Sequence, residues 1–297
     1  MIYLRSFQLV SELKETEFLC TFPYQLEMMC FSHENAYPFK IFPPKYFENI
    51  EFSDVTMFYG SNGSGKSTVL NIIAQKLGVS RSAPFNETPL MGDYLSFCEY
   101  ELAGKLPASS RIITSDDVFD FLLDVRAINK GVSDRREQLF EEYRKYTDPS
   151  VHFQMRTMEE YDELRARNEA RHKTKSAYVT PRLNTGEIHG KSNGESAFYY
   201  FTDHIKENAL YLLDEPENSL SPKMQKELLS FLEDSARFFN CQFIISTHSP
   251  FILSMNGAKI YDLDSVPTET KSWAELDNIK IYHELFEKNR HLFKNKN

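Results

Sequence analysis

The apolar residues of this chain form two kinds of pattern that alternate along the sequence. Four short runs are apolar at successive positions, which is typical of strands buried on both faces of a sheet. These runs are residues 55–59, 111–114, 209–213 and 241–246. Residues 67–77 and 221–239 instead place apolar side chains three or four positions apart, which predicts helices. Strand, helix and strand at this spacing predict a parallel sheet with right-handed crossovers.

Two regions depart from this alternation. Residues 1–54 mix short apolar segments with prolines, which favours short strands and turns over long helices. Residues 116–175 are charged and carry apolar positions at helical spacing, with Gly131 and residues 147–150 as expected breaks between helices. The longest uninterrupted helix would then be residues 158–175, with a length of about 27 Å.

The pattern therefore predicts an α/β fold: a mostly parallel core sheet, an N-terminal antiparallel β part and an inserted helical lobe. Residues 1–115 would hold the β part and the first half of the core, residues 116–190 the lobe, and residues 191–297 the second half of the core. The segment 271–297 has a helical pattern and could dock on the core or on another chain.

Composition narrows the class of protein. A chain of 297 residues with 41% hydrophobic content suits one large domain or one domain with an insertion, and it excludes fibrous and disordered classes. A net charge of -9 argues against a surface that coats nucleic acid uniformly. The four cysteines show no CxxC pair, and the N-terminus lacks a signal-peptide pattern, so we expect reduced thiols in a cytoplasmic protein.

One stretch raises the question of a membrane span. Residues 238–258 contain no Asp, Glu, Lys or Arg, but several polar residues interrupt them. Burying those polar groups in lipid would be costly. We therefore interpret the stretch as a buried strand followed by a functional loop, with no membrane span.

The sequence GSNGSGKST lies between a predicted strand and a predicted helix, which is the context that a phosphate-binding loop requires. Its glycines allow successive N–H groups to point at phosphate oxygens, and the helix N-terminus adds a partial positive charge. Lys66 would contact the β and γ phosphates of ATP, and the hydroxyl of Ser67 would bind Mg²⁺. The predicted nucleotide-binding residues of this loop are Gly60, Ser61, Asn62, Gly63, Ser64, Gly65, Lys66, Ser67 and Thr68.

Two acids follow the apolar strand at residues 209–213. Asp214 would hold Mg²⁺ together with Ser67, and Glu215 would orient or deprotonate the attacking water. His248 follows the next strand, and ligands of open parallel sheets gather at the carboxyl ends of the strands. We therefore predict that Glu215 and His248 are catalytic residues of an Mg²⁺-dependent ATPase.

These residues resemble the ATP-binding-cassette (ABC) ATPases, specifically the soluble branch of SMC, RecF and OLD-like proteins. The resemblance covers the phosphate loop, the Asp214–Glu215 pair, residues 217–222 as the D-loop, and His248 as the switch histidine. It implies a P-loop NTPase head that docks face to face with a second head. The partner head's signature loop then caps the γ phosphate.

The sequence KSNGES (191–196) occupies the place of that signature loop. Under the resemblance, Ser192 and Gly194 at the start of a helix would bind the ATP of the neighbouring head. Only these two residues of the usual signature pattern are clearly retained. An ordinary helix N-terminus explains the same residues.

Two further family features are not clear. A glutamine usually follows the strand before the helical lobe, but TSDD (114–117) stands here. Asp116 or Asp117 could reach the metal or the water; we favour a helix cap at Ser115 with Asp117 in the first turn. The aromatic residue that stacks on adenine cannot be assigned, and we expect core packing for each of the available residues. These are Tyr37, Phe39, Phe42 and Tyr46.

The function implied is an ATPase that dimerises head to head on Mg-ATP and drives or gates a partner in DNA repair or bacterial defence. The partner could be a nuclease, a toxin or another effector, and the basic run RARNEARHKTK (165–175) is a candidate DNA contact. A solvated helix face explains the same run. The alternatives are the nucleotide-binding subunit of a membrane transporter and an ATP-gated binding module with incidental turnover.

Overall fold

The computed structural model describes residues 1–20, 36–82, 88–148, 161–182 and 193–293. Two compact units are formed, one by Met1–Phe119 with Asn193–Asn297 and the other by Asp120–Ser192. Of the cysteines, Cys20, Cys98 and Cys241 are free thiols, while Cys30 lies outside the described residues.

The larger unit is built on a six-stranded sheet with the strand order β5-β6-β7-β3-β8-β9. All neighbouring pairs are parallel except β8 and β9, which run antiparallel. Every residue of β3 and β7 is buried, which explains why their sequences are apolar without alternation. The strands are β3 (Val55–Tyr59), β5 (Arg111–Thr114), β6 (Leu210–Asp214), β7 (Gln242–Ser246), β8 (Lys259–Asp262) and β9 (Glu269–Lys271).

A second, antiparallel sheet has the order β2-β1-β4, with β1 at Leu4–Gln8, β2 at Asn49–Glu51 and β4 at Glu99–Leu102. The predicted fold class, with its mostly parallel sheet and antiparallel β part, is therefore confirmed. Helix α1 (Glu12–Cys20) was not expected in a region that favours strands and turns. Its first turn closes where the Glu15 amide donates to the Ser11 carbonyl at 2.9 Å.

Among the helices of the larger unit, Lys66–Leu77 contacts β6 and β7 of the parallel sheet. Ser221 caps α8 by accepting a hydrogen bond from the Met224 amide, as the Ser-Pro pair predicts. Their bounds are α1 (Glu12–Cys20), α2 (Lys66–Leu77), α3 (Met91–Phe97), α7 (Asn193–His204), α8 (Pro222–Phe238), α9 (Asp277–Lys288) and α10 (Arg290–Phe293).

The long helix α4 runs from Ser115 to Thr147 without interruption, so the predicted break at Gly131 is wrong. With 33 residues it is about 50 Å long, nearly twice the length expected for the longest helix. A glycine in a helix costs about 1 kcal/mol relative to alanine, and the surrounding turns outweigh that penalty here. The lobe continues with α5 (Tyr161–His172) and α6 (Lys175–Val179).

The basic run in the lobe does not form a continuous cationic face. Arg167 is only 5% exposed. Its guanidinium donates to Glu163 Oε1 at 2.8 and 3.1 Å and lies 4.9 Å from the centre of the Tyr146 ring. Lys173 forms an ion pair with Glu169 at 2.6 Å. Arg167 is therefore part of the packing of the lobe and cannot make the DNA contact that we considered.

Candidate nucleotide-binding site

The phosphate loop connects β3 to α2, as predicted. Gly65 has a φ of 102°, and a Cβ atom at this position would lie 3.1 Å from Ile41 and 3.2 Å from Phe42. A larger residue would thus be strained and crowded. The Nζ atom of Lys66 donates to the carbonyls of Gly60 at 2.9 Å and Ser61 at 3.0 Å, so the ammonium lies against the loop. Burial lowers the pKa of Lys66, and nearby carboxylates, Glu215 first, oppose that shift.

Two residues that sequence reasoning missed hold the loop from outside. Asp264 accepts hydrogen bonds from the amide of Ser61 at 2.6 Å and from its hydroxyl at 2.8 Å. Lys45 Nζ donates to the carbonyls of Ser64 at 2.7 Å and Leu263 at 2.6 Å. Burial lowers the pKa of Lys45. Both contacts fix the backbone that would have to cradle phosphate.

A hydroxyl and a carboxylate meet at the start of α2. Ser67 Oγ donates to Asp214 Oδ1 at 3.0 Å, and Ser246 Oγ donates to the same oxygen. Burial raises the pKa of Asp214, and these two hydrogen bonds oppose the shift. Hydroxyl and carboxylate oxygens are ligands that Mg²⁺ prefers, so the donor set fits the metal that a P-loop fold implies.

Glu215 and His248 lie beside each other. His248 Nε2 is 3.4 Å from Glu215 Oε1, and this buried nitrogen makes no hydrogen bond within the described residues. Burial first, and then the positive charge of Lys66, lower the pKa of His248, which favours the neutral imidazole. Glu215 has a φ of 48°, and its amide donates to the Ser246 carbonyl at 3.0 Å. This backbone contact ties the acid to the end of the neighbouring strand.

Glu217 is a further acid of the site that sequence reasoning passed over as part of the D-loop. Its Oε1 atom accepts hydrogen bonds from the backbone amides of His248 at 2.6 Å and Ser249 at 3.0 Å. Burial raises the pKa of Glu217. The side chain therefore joins the turn after Glu215 to the loop that carries the histidine.

The structure brings most of the predicted site residues together around a depression of about 450 Å³. Gly60, Ser61 and Ser64 complete the phosphate loop behind it. Asp214 contacts Ser67 from the end of β6. The lining residues are Ile41, Asn62, Gly63, Gly65, Lys66, Ser67, Thr68 and Glu215.

Of the two predicted signature residues, only Gly194 belongs to the described part of the chain. Ser192 is outside the described residues, while Gly194 lies in the first turn of α7. A Cβ atom on Gly194 would be 3.6 Å from both the Ser219 carbonyl and the Met224 side chain. Gly194 is thus next to the segment that follows Glu215 and is absent from the lining of the depression.

The structure resolves one open alternative and corrects two details. Thr114, not Ser115, caps α4: its amide donates to Asp117 Oδ2 at 2.7 Å, and its hydroxyl accepts from the Asp117 amide. This reciprocal arrangement is a capping box, so Asp117 serves the helix start. Among the four aromatic residues, Tyr46 is 70% exposed, which is contrary to the core packing expected for it. Phe39 and Phe42 are buried, and Tyr37 packs on the core.

The parallel sheet, the phosphate loop and the acids at its carboxyl edge are features of a P-loop ATPase fold. In agreement with this, the model of family AAA_21, described as "AAA domain, putative AbiEii toxin, Type IV TA system", matches residues 116–254. The match includes Asp214, Glu215 and His248. This match is consistent with a P-loop ATPase of the ABC and SMC-like kind.

The solved structures to which this chain is similar include SMC heads and ATP-binding cassettes. The Smc head with an extended coiled coil from Pyrococcus furiosus, bound to the C-terminal domain of ScpA, is 14% identical, with 96% of this chain and 100% of that chain covered and a TM-score of 0.41. The SMC head from Thermotoga maritima is 14% identical, with 88% of this chain and 94% of that chain covered and a TM-score of 0.34. A dimeric post-hydrolysis ATP-binding cassette bound to ADP and Pi is 15% identical, with 77% of this chain and 90% of that chain covered and a TM-score of 0.36.

A search of curated protein sequences found no match. Within the described residues, none of the helices has the length and apolar character that crossing a membrane requires.

Proposed function

We propose that this protein binds Mg-ATP and hydrolyses it to ADP and phosphate. The observation that carries the proposal is the meeting of Lys66, Ser67 and Asp214 beside the Glu215–His248 pair, at the carboxyl edge of the parallel strands. Ligands of such sheets bind at this edge. A glycine-rich turn without a role in phosphate binding would not require two acids and a buried histidine nitrogen that makes no hydrogen bond among the described residues.

Each side chain has a role that follows from its position. The loop amides and Lys66 bind the phosphates, and Ser67 and Asp214 hold the metal. When bound, Mg²⁺ neutralises phosphate charge. Glu215 orients the attacking water and takes its proton, while the bond between the γ phosphorus and the bridging oxygen breaks and ADP leaves. The neutral His248 offers Nε2 for a hydrogen bond to the γ phosphate.

The test is Glu215→Gln, which keeps the shape of the side chain and removes the base. We expect phosphate release to fall by roughly 100-fold or more, because general-base catalysis contributes about that much. Binding of a fluorescent ATP analogue should stay within a few-fold of wild type. Lys66→Ala is the matched control: it should lose both binding and turnover. Unchanged turnover in Glu215→Gln would refute the assignment.

We further propose that ATP closes two heads into a dimer, with Ser192 and Gly194 of one head binding the ATP of the other. The place of Gly194 in the first turn of a helix, next to the segment after Glu215, supports this arrangement. In sedimentation experiments, Glu215→Gln with saturating Mg-ATP should dimerise more than the nucleotide-free protein. Adding Gly194→Glu to this variant should abolish the gain in dimer, because the new carboxylate would repel the phosphates of the ATP on the partner head. ATP binding by each head should stay intact. If Glu215→Gln bound ATP and showed no increase in dimer, the proposed two-headed site would be refuted.

The cycle would gate an effector in DNA repair or bacterial defence, and the toxin–antitoxin description of the matching family supports the defence role. In the basic run of the lobe, Arg165 and Arg171 are exposed and remain available for DNA. The effector should co-purify with Glu215→Gln in the presence of ATP and not with Lys66→Ala. Equal recovery with both variants would separate the effector from the nucleotide cycle.

A further inference from the structure

The C-terminal helices expose an unusual amount of apolar surface. Six large side chains of α9 and α10 are between 44% and 71% exposed, whereas surface helices normally bury their apolar face. We name this set the C-terminal stripe. Its members are Ile281, Tyr282, Leu285, Phe286, Leu292 and Phe293.

The helix is attached to the protein only at its beginning. Leu276 and Ile279 are buried, and Asn278 donates from its amide to the Tyr59 hydroxyl and from its side chain to the His248 carbonyl, both at 3.2 Å. From Lys280 onwards, every described residue except Asn289 is exposed. The stripe is therefore held in place by its first turn and lacks a cover among the described residues.

A groove beside the helix extends this apolar surface. It has a volume of about 880 Å³, and Tyr282 and Phe286 form one of its walls. Phe251 and Trp273 line it as well, and the Trp273 indole donates to the Pro250 carbonyl at 3.0 Å. Continuous apolar surface of this kind marks interaction sites. The groove also adds contact area that one helix of about 18 Å would not supply.

The charges along one edge of the stripe indicate what covers it. Glu284 and Lys288 are one turn apart and follow Ile281 and Leu285 by three positions, so they share the edge next to these two residues. Neither charge forms an ion pair within the described residues. If two copies of this helix pack antiparallel about a two-fold axis, Glu284 of each copy faces Lys288 of the other. A parallel pair would place like charges together.

We propose that the C-terminal stripe is a self-association surface, on which α9 pairs antiparallel with α9 of a second copy. The charge order is self-complementary only in this arrangement, which favours a second copy over an unrelated protein. The resulting dimer needs no nucleotide, because no stripe residue belongs to the phosphate loop. The stripe contains neither Ser192 nor Gly194, the residues proposed for the ATP-dependent face, so each contact can fail without the other.

The test uses the full chain without nucleotide in sedimentation velocity at a series of concentrations. We expect a concentration-dependent species of twice the 34.7 kDa chain mass, and Leu285→Glu should remain a monomer. Glu284→Lys and Lys288→Glu should each raise the dissociation constant by roughly tenfold, because like charges then meet at two symmetric places. The double exchange should restore wild-type affinity to within about threefold.

Glu287→Lys is the matched control, because Glu287 lies on the opposite side of the helix and pairs with Arg290 at 3.6 Å. It should dimerise as the wild type does. Circular dichroism should show that the variants of α9 fold, since each side chain changed in this helix is exposed. Lys66→Ala should dimerise normally, which separates this contact from the nucleotide cycle. A monomer at the highest concentration that the protein tolerates, heterogeneous aggregation, or no recovery in the double exchange would overturn the proposal.

Discussion

Glu217 provides the sharpest test of how the two halves of the site are joined. The Glu217→Ala substitution removes one carboxylate oxygen that accepts two backbone hydrogen bonds, from His248 at 2.6 Å and Ser249 at 3.0 Å. A hydrogen bond to a charged group contributes about 1.5 to 3 kcal/mol. Loss of both would cost roughly 3 to 6 kcal/mol. Since burial of the carboxylate itself is unfavourable, we expect a measured loss near the lower value, about 3 kcal/mol.

The consequence for catalysis follows from the same contacts. Without them, the loop is free to move His248 away from Glu215, while the phosphate loop keeps its own hydrogen bonds. We therefore expect kcat to fall by at least about tenfold and KM for ATP to change by less than about threefold. Glu217→Gln keeps a carbonyl oxygen at the same place and should recover much of both stability and kcat. This rescue distinguishes positioning by hydrogen bonds from a need for the charge.

The assays are urea denaturation for the free energy of unfolding and steady-state phosphate release for kcat and KM. Glu227→Ala is the matched control, because Glu227 is 45% exposed on α8 and its only ion pair among the described residues is a 3.9 Å contact with Lys223. This variant should have the same free energy of unfolding and the same kinetic constants as wild type, within experimental error. If Glu217→Ala matched this control, or if KM rose while kcat stayed constant, the reasoning about the connection would be refuted.

Three other predictions concern the loop, the N-terminal core and the lobe. Gly65→Ala should weaken binding of an ATP analogue by at least about tenfold in a titration, because a Cβ atom at φ 102° is strained and only 3.2 Å from Phe42. Burial raises the pKa of Glu15 from 4.5 to about 7, so the folded protein retains a proton that the unfolded chain releases. The free energy of unfolding should therefore fall as the pH rises from about 4.5 to about 7. Thermal denaturation of Glu15→Gln should show no such decline, and this variant should be more stable than wild type by roughly 1 to 3 kcal/mol at about pH 8. Equal pH profiles of stability for the variant and wild type would contradict this prediction. Arg167→Ala should destabilise the lobe by about 3 kcal/mol in proteolysis kinetics because it leaves the contacts with Glu163 and Tyr146 unmade, and Arg165→Ala should not.

The sheet was predictable because burial on both faces leaves a direct trace in the sequence. The residues of β3 and β7 are all buried, and all are uncharged and most of them apolar, so the run itself indicated a strand. The ends of β6 and β7 then located Asp214 and His248 at one edge. Local chemistry was equally informative at Ser221, whose side chain caps α8.

Contacts that join distant segments left no such trace. Asp264 binds Ser61 across 203 positions of sequence, and Lys45 reaches Leu263 across 218. No periodicity or local motif links these pairs, because the sheet order alone brings β8 next to β3. The misplaced break at Gly131 has a different cause: one glycine was interpreted as the end of a helix, although it costs only about 1 kcal/mol and the helix continues through it to Thr147.

The partners that the site groups already have also govern how strongly ATP can bind. Lys66 Nζ donates to two carbonyls of its own loop, and the oxygen of Asp214 accepts from Ser67 and Ser246. Under the proposed function, ATP and metal would replace these hydrogen bonds, so only the difference between the old and the new contacts would contribute to affinity. The loop backbone does not have to be rearranged, because Asp264 and Lys45 hold it independently of Lys66. Removing Lys66 would therefore take away the proposed phosphate contact and leave the loop in place. Removing Asp264 would keep the charge of Lys66 and free the loop at Ser61.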